Sequence, residues 1–179
     1  LQAISKLAHS YGIPVIADDT IGSCANIDAT PYADLIFSSL TKSFAGRGDI
    51  LAGSLVISPQ SKWADQLKKS LNKSVMASLC DSDAIALEET SRGFVNRLTK
   101  LNKACIKLKG KLDEHPSIAR VLHPEKCPNF RSLMRAEGGH GCLLSFELKG
   151  GLSKARAFYN ALEVCKGPSL GTSFTLVCP

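Results

Sequence analysis

Apolar residues fall at Leu1, Ile4, Leu7 and Ala8, and Gly12 follows closely; this spacing predicts a helix over 1–10. An unbroken apolar run comes next, Ile13-Pro14-Val15-Ile16-Ala17, and it ends on two carboxylates, Asp18 and Asp19. A strand apolar on both faces suits the interior of a parallel sheet. Turn-forming residues occupy Asp28 to Pro31. A second short strand is then expected over 33–39 and a third over 51–58, the latter closed by Pro59. Between these two strands lie Leu40-Thr41-Lys42 and the glycine-containing stretch Gly46-Arg47-Gly48-Asp49.

Helical periodicity returns over 61–72. It then runs from Ser82 to near Asp113 with one interruption, Gly93, which predicts a single long helix. Beyond Pro116 the texture changes. Val121-Leu122 reads as a strand, a polar and proline-bearing loop extends to Asn129, Cys142–Leu148 reads as a half-buried strand, and 153–162 reads as a helix. The pattern predicts an α/β chain in three parts. Residues 1–80 belong to a larger, mostly parallel-sheet domain, 81–114 form a connecting helix, and 115–179 form part of a smaller α+β domain. The first residue, Leu1, already lies within a predicted helix and the last residues follow an apolar stretch, so the chain reads as a fragment of a longer protein.

Composition narrows the function classes. Apolar residues make up 44% and charged residues 21% of 179, which is enough for a real core. The apolar runs are too short to cross a bilayer. The formal charge of +6 comes largely from lysines on the predicted helices, with no interleaved aromatics or binding motif, so it is read as a solvated face and not as a nucleic-acid surface. Seven cysteines are scattered without a C-x-x-C pair, and four histidines are equally dispersed. Reduced thiols, a cytoplasmic location and no metal site are the expectations.

The chemistry gathers at two strand ends. Asp18 closes the first strand, and Lys42 follows the second, 42 − 18 = 24 residues on. Ligands of open α/β sheets bind beyond the carboxyl ends of the strands, so both residues are expected to face one crevice. A lysine amine forms a Schiff base with an aldehyde. A carboxylate opposite a pyridine nitrogen keeps that nitrogen protonated and the ring electron-withdrawing. Hydroxyls such as Ser39 and Thr41 suit a phosphate. The same pattern is also compatible with an ordinary turn, because a strand-terminal Asp readily caps one.

Three ordered segments sharpen this reading: Ala17-Asp18-Asp19-Thr20, Ser38-Ser39-Leu40-Thr41-Lys42-Ser43-Phe44 and Leu51-Ala52-Gly53-Ser54-Leu55-Val56. They resemble successive motifs of the Cys/Met-metabolism enzymes of fold type I, which depend on pyridoxal 5′-phosphate (PLP). Ser91–Arg97 resembles that family's inter-domain helix, Gly141–Gly151 its first strand of the C-terminal domain, and Pro168-Ser169-Leu170-Gly171 its loop for the substrate carboxylate.

The resemblance implies that Lys42 carries the cofactor and moves protons. It implies that Asp18 pairs with the pyridine nitrogen with Thr20 beside the ring, that Ser39 and Thr41 hold the phosphate, and that Ser169 lies near the substrate carboxylate. It further implies small amino-acid substrates and γ-replacement on an activated homoserine by cysteine, with γ-elimination or sulfhydrylation as alternatives. A homo-oligomer of the full-length protein is also implied. Asp19 and Ser38 stand where many members have Asn and His, variants that resemble the fungal cystathionine γ-synthase branch. The family's stacking tyrosine, phosphate loop and carboxylate-binding arginine have no counterpart among these residues. The isolated chain is therefore expected to bind PLP weakly, and a non-catalytic truncated relative is the alternative of another class.

Overall fold

The computed structural model describes residues 1–74 and 79–179; residues 75–78, within the first predicted domain, lie outside them. Helix α1 (Gln2–Ser10) leads into strand β1 (Ile16–Asp18), followed by β2 (Leu35–Ser39) and β3 (Gly53–Ile57). These make a three-stranded sheet in the order β1-β2-β3. β1 and β2 are parallel, with Asp18 opposite Phe37, whereas β3 runs antiparallel to β2. The described part of the sheet is thus evenly mixed and not mostly parallel.

Under the sheet, Val15, Ala29, Ala33 and Ile36 form a buried cluster onto which Leu1, Ala8 and Ala17 pack. The face that α1 turns inward therefore carries small residues, and Ser5 is its buried position. Ile4 and Leu7, expected in the core from their spacing, are exposed instead. The apolar run also departs from expectation. Val15 is buried, but Ile13 and Ile16 face outward, and pairing begins at Ile16, not Ile13. The upper face of this edge strand has nothing laid over it among the described residues. Asp34 ties the base of the sheet together. Its carboxylate accepts from the Val15 amide at 2.7 Å and the Ser61 hydroxyl at 2.6 Å, and it pairs with His9 Nε2 at 2.8 Å.

After α2 (Ala64–Ser74), the single helix expected over 82–113 is in fact two, α3 (Asp81–Ser91) and α4 (Phe94–Asp113), broken at Arg92–Gly93. α4 buries Phe94, Leu98, Cys105 and Lys109 along one side. Phe94 packs on Phe44 with ring centroids 4.9 Å apart, and Lys109 is neutralised by Asp113 at 2.6 Å and Glu125 at 2.9 Å.

The C-terminal part pairs β4 (Ile118–Leu122) antiparallel with β5 (Ser145–Leu148), and α6 (Gly151–Ala161) lies on β5 through Phe146 and Phe158. The stretch expected to be loop up to Asn129 holds a short helix, α5 (Pro128–Arg131). A two-residue parallel pair, β6 (Cys165–Lys166) with β7 (Leu176–Val177), was not foreseen. The two parts are fastened by paired amides. Asn102 Nδ2 donates to Asn26 Oδ1 at 2.8 Å, and the Gly139 and Gly141 amides donate to Asn26 Oδ1 and Asn102 Oδ1 at 3.0 and 3.1 Å.

Candidate active site

Parallel pairing sets the geometry. Asp18 is the last residue of β1 and Ser39 the last of β2, so both lie at the same, carboxyl edge of the sheet. Asp18 is exposed, and its Oδ1 accepts the Thr20 amide at 2.9 Å. Thr20 in turn reaches across to the neighbouring strand, where its hydroxyl oxygen accepts the Ser39 amide at 2.8 Å. A short polar chain from Asp18 through Thr20 to Ser39 thus joins the two strand ends.

Lys42 lies in the tight turn that follows. Its carbonyl accepts the Gly46 amide at 2.8 Å, and the Leu40 carbonyl accepts the Ala45 amide at 2.9 Å. The Lys42 Nζ donates to the Ser169 hydroxyl at 3.0 Å across a separation of 127 residues. The loop carrying Ser169 comes close because Gly171 has φ +79° and lies directly against the Lys42 backbone, where a side chain would collide. Thr41 is committed elsewhere. Its hydroxyl oxygen accepts the Ala52 amide at 3.2 Å and lies 3.4 Å from the Ala52 carbonyl, so it pins the turn to the entrance of β3. The structure therefore brings Lys42 to Ser169, and Asp18 to Thr20 and Ser39, and it turns Thr41 toward backbone.

A cavity of about 340 Å³ lies on the opposite, inner face of the sheet, bordered by Asp19, Thr20, Ser39, Phe44, Phe94 and Arg135 among others; neither Asp18 nor Lys42 lines it. Asp19 is buried, and burial pushes its carboxyl up to about 6, opposed by Arg135 and reinforced by Asp18.

Sequence reasoning missed two residues near the site. Arg97 donates to the carbonyls of Phe44 and Ser43, and Asn26 is almost completely buried. Arg97 did leave a signal, because it is the one arginine on a helix with five lysines. A guanidinium where lysine is the local habit points to a need for several directed donors. Asn26 left none.

The fold is that of the fold type I PLP-dependent enzymes. The chain belongs to the family described as Cys/Met metabolism PLP-dependent enzyme, whose model matches residues 1–178. It is 36% identical over 182 residues to a cystathionine γ-synthase of Neurospora crassa, covering all of this chain and 29% of that protein. It is 37% identical over 190 residues to one of Saccharomyces cerevisiae, covering 30% of it. The chain thus spans under a third of the length of these relatives. The cystathionine γ-synthase of Xanthomonas oryzae pv. oryzae, solved with aminoacrylate and cysteine, shares the fold with a TM-score of 0.83 at 23% identity, over 99% of this chain and 46% of that one.

The residues present fit such a cofactor. Asp18 is engaged through one carboxylate oxygen among the described residues, the Lys42 amine is held by a hydroxyl and not by a carboxylate, and the hydroxyls of Thr20 and Ser39 lie at the same edge.

Proposed function

We propose that this chain supplies the lysine-bearing part of a PLP-dependent transsulfuration enzyme that joins an activated homoserine to cysteine. PLP, when bound, acts as an electron sink that stabilises negative charge on substrate carbon. Lys42 is the attachment point and then the base that takes a proton at the substrate Cα and returns it along the chain. Asp18 balances the charge of the pyridinium nitrogen. Ser39 offers a hydroxyl to the phosphate, with Thr20 beside the ring. Thr41 serves the phosphate only if its bond to Ala52 is exchanged. The Ser169 hydroxyl steadies the Lys42 amine and lies where a substrate carboxylate would enter.

The observation that carries this reading is the 3.0 Å contact between Lys42 Nζ and Ser169, formed at the carboxyl edge of β1 and β2 in a chain of a PLP-dependent family. Small amino acids are the expected substrates, and a homo-oligomer is the expected form of the intact protein. Among the described residues no helix is long and apolar enough to cross a membrane.

In the intact protein, Lys42→Ala should abolish both turnover and the cofactor adduct that borohydride traps, because the amine that would form the adduct is removed. Full activity with a trapped adduct would remove Lys42 from the mechanism. Turnover of O-acetyl- or O-succinylhomoserine with cysteine, and none of cystathionine alone, is the expected substrate profile; the reverse profile assigns a γ-lyase.

A further inference from the structure

The turn that carries Lys42 has almost no regular structure to stiffen it. Its backbone leaves β2 at Ser39 and rejoins a strand only at Gly53. Two carbonyls just past the lysine point away from that turn and toward α4. There, Arg97 Nη2 donates to Phe44 O at 2.6 Å and approaches Ser43 O at 3.4 Å. The other arm of the same guanidinium, Nη1, is 3.3 Å from Thr90 O in the last turn of α3. One planar group thus spans the break between α3 and α4 and the segment that follows Lys42.

Three features argue that this is a built contact. Arg97 is half-buried, and burial holds its basicity below the ordinary range. Among the described residues no carboxylate pairs with it, so backbone carbonyls alone compensate its charge. Gly46, with φ +72°, presses on the guanidinium so closely that any side chain there would strike it. A half-buried arginine whose two terminal nitrogens meet carbonyls while its Nε has no partner fixes backbone position, because a fork of donors accepts few alternative geometries.

We infer that Arg97 is a positioning residue for Lys42. By clamping the carbonyls of Ser43 and Phe44, it sets the pitch of the 42–46 turn and hence the direction in which the Lys42 amine projects. The inference rests on the assignment of Lys42 as the cofactor lysine, and its role in proton transfer makes that direction matter. A misplacement of about 1 Å in a catalytic group lowers rates by about a hundredfold.

The test uses the intact protein with Arg97→Ala, Arg97→Lys and, as reference, Lys42→Ala. In the cofactor-free protein, Arg97→Ala should speed hydrogen exchange at the Gly46 amide, which is bonded to the Lys42 carbonyl, by about tenfold or more. Exchange in the distant β4–β5 pair should stay unchanged. In the loaded protein kcat should fall by about a hundredfold with KM within about twofold, since the Arg97 guanidinium is turned to the carbonyls of Phe44 and Thr90. Methylguanidinium in solution should restore part of the kcat lost by Arg97→Ala, and Arg97→Lys should restore little, because one ammonium cannot serve both Phe44 and Thr90. Unchanged exchange at Gly46, or an Arg97→Lys variant as fast as the parent, would overturn the inference. If instead Lys42→Ala keeps the trapped adduct, the assignment of Lys42 fails, while the exchange result still reports on the clamp.

Discussion

Asp18 and Asp19 are the same amino acid in adjacent positions, and the pleat of a strand sends them to opposite faces. Asp18 faces solvent at the proposed cofactor edge, while Asp19 is 5% exposed with its Oδ1 unpartnered. Burial raises the Asp19 carboxyl to about 6, against about 3.9 in an unfolded chain. Below about pH 4 both states hold the proton and Asp19 imposes no penalty. Between about pH 4 and 6 the unfolded state releases its proton first, so stability falls as pH rises; above about 6 the loss is constant. The loss is on the order of 3 kcal/mol. Asp19→Asn in the intact protein should therefore be more stable than the parent at pH 7 and no different at pH 4, measured by urea unfolding across that range. A variant whose destabilisation grows from pH 4 to pH 7 would mean that Asp19 is held by its charge and not disfavoured by it. Both carboxylates were legible as a strand-terminal pair. Which of them is buried was not, because that depends on which face the core covers, and a run apolar on both faces is silent about it.

At the scale of elements, periodicity gave the order of helices and strands but not where one helix becomes two. A single glycine in a helical pattern costs only about 1 kcal/mol and does not announce a break. Here the break at Arg92–Gly93 lets α3 and α4 diverge, with Arg97 bridging the gap. Asn102 was equally illegible, because a polar residue at helical spacing looks the same whether it meets water or another amide. In the fold it completes a reciprocal pair with Asn26, which is 1% exposed, and it accepts the Gly141 amide. Asn102→Ala would strand the buried Asn26 amide and the Gly141 N–H together. Each unsatisfied buried group carries a penalty of about 1–3 kcal/mol, so a loss of about 2–4 kcal/mol is expected in denaturant unfolding of the intact protein. Replacing the neighbouring exposed Lys103 by Ala should change stability by no more than about 0.5 kcal/mol. Equal small effects would show that the amide pair joins the two parts without stabilising them.

At the scale of the whole molecule, the first strand, expected to be buried on both faces, is buried on one, with Val15 8% and Ile16 64% exposed. Residues opposed in register share a face, so Asp18, Phe37 and Leu55 stand together, as do Ile16, Leu35 and Ile57. Ile16 and Leu55 on the two edge strands and Phe37 on the central one are 64%, 42% and 39% exposed. Ile4 and Leu7 of α1 are exposed as well. The apolar run at 13–17 is therefore buried only at Val15, with Ile13 56% and Ile16 64% exposed. Large apolar side chains left exposed together on one sheet face drive association in water. The 179-residue chain, prepared by itself, should accordingly enhance the fluorescence of a hydrophobic dye and associate with rising concentration in sedimentation experiments. The triple substitution Ile16→Ser, Phe37→Ser and Leu55→Ser should diminish both signals while leaving the Val15–Ala29–Ala33–Ile36 cluster on the other face in place. A parent chain that stays monomeric and dark to the dye would mean that these side chains fold back onto the sheet, and the strand edges holding Asp18 and Ser39 would then have to be redrawn.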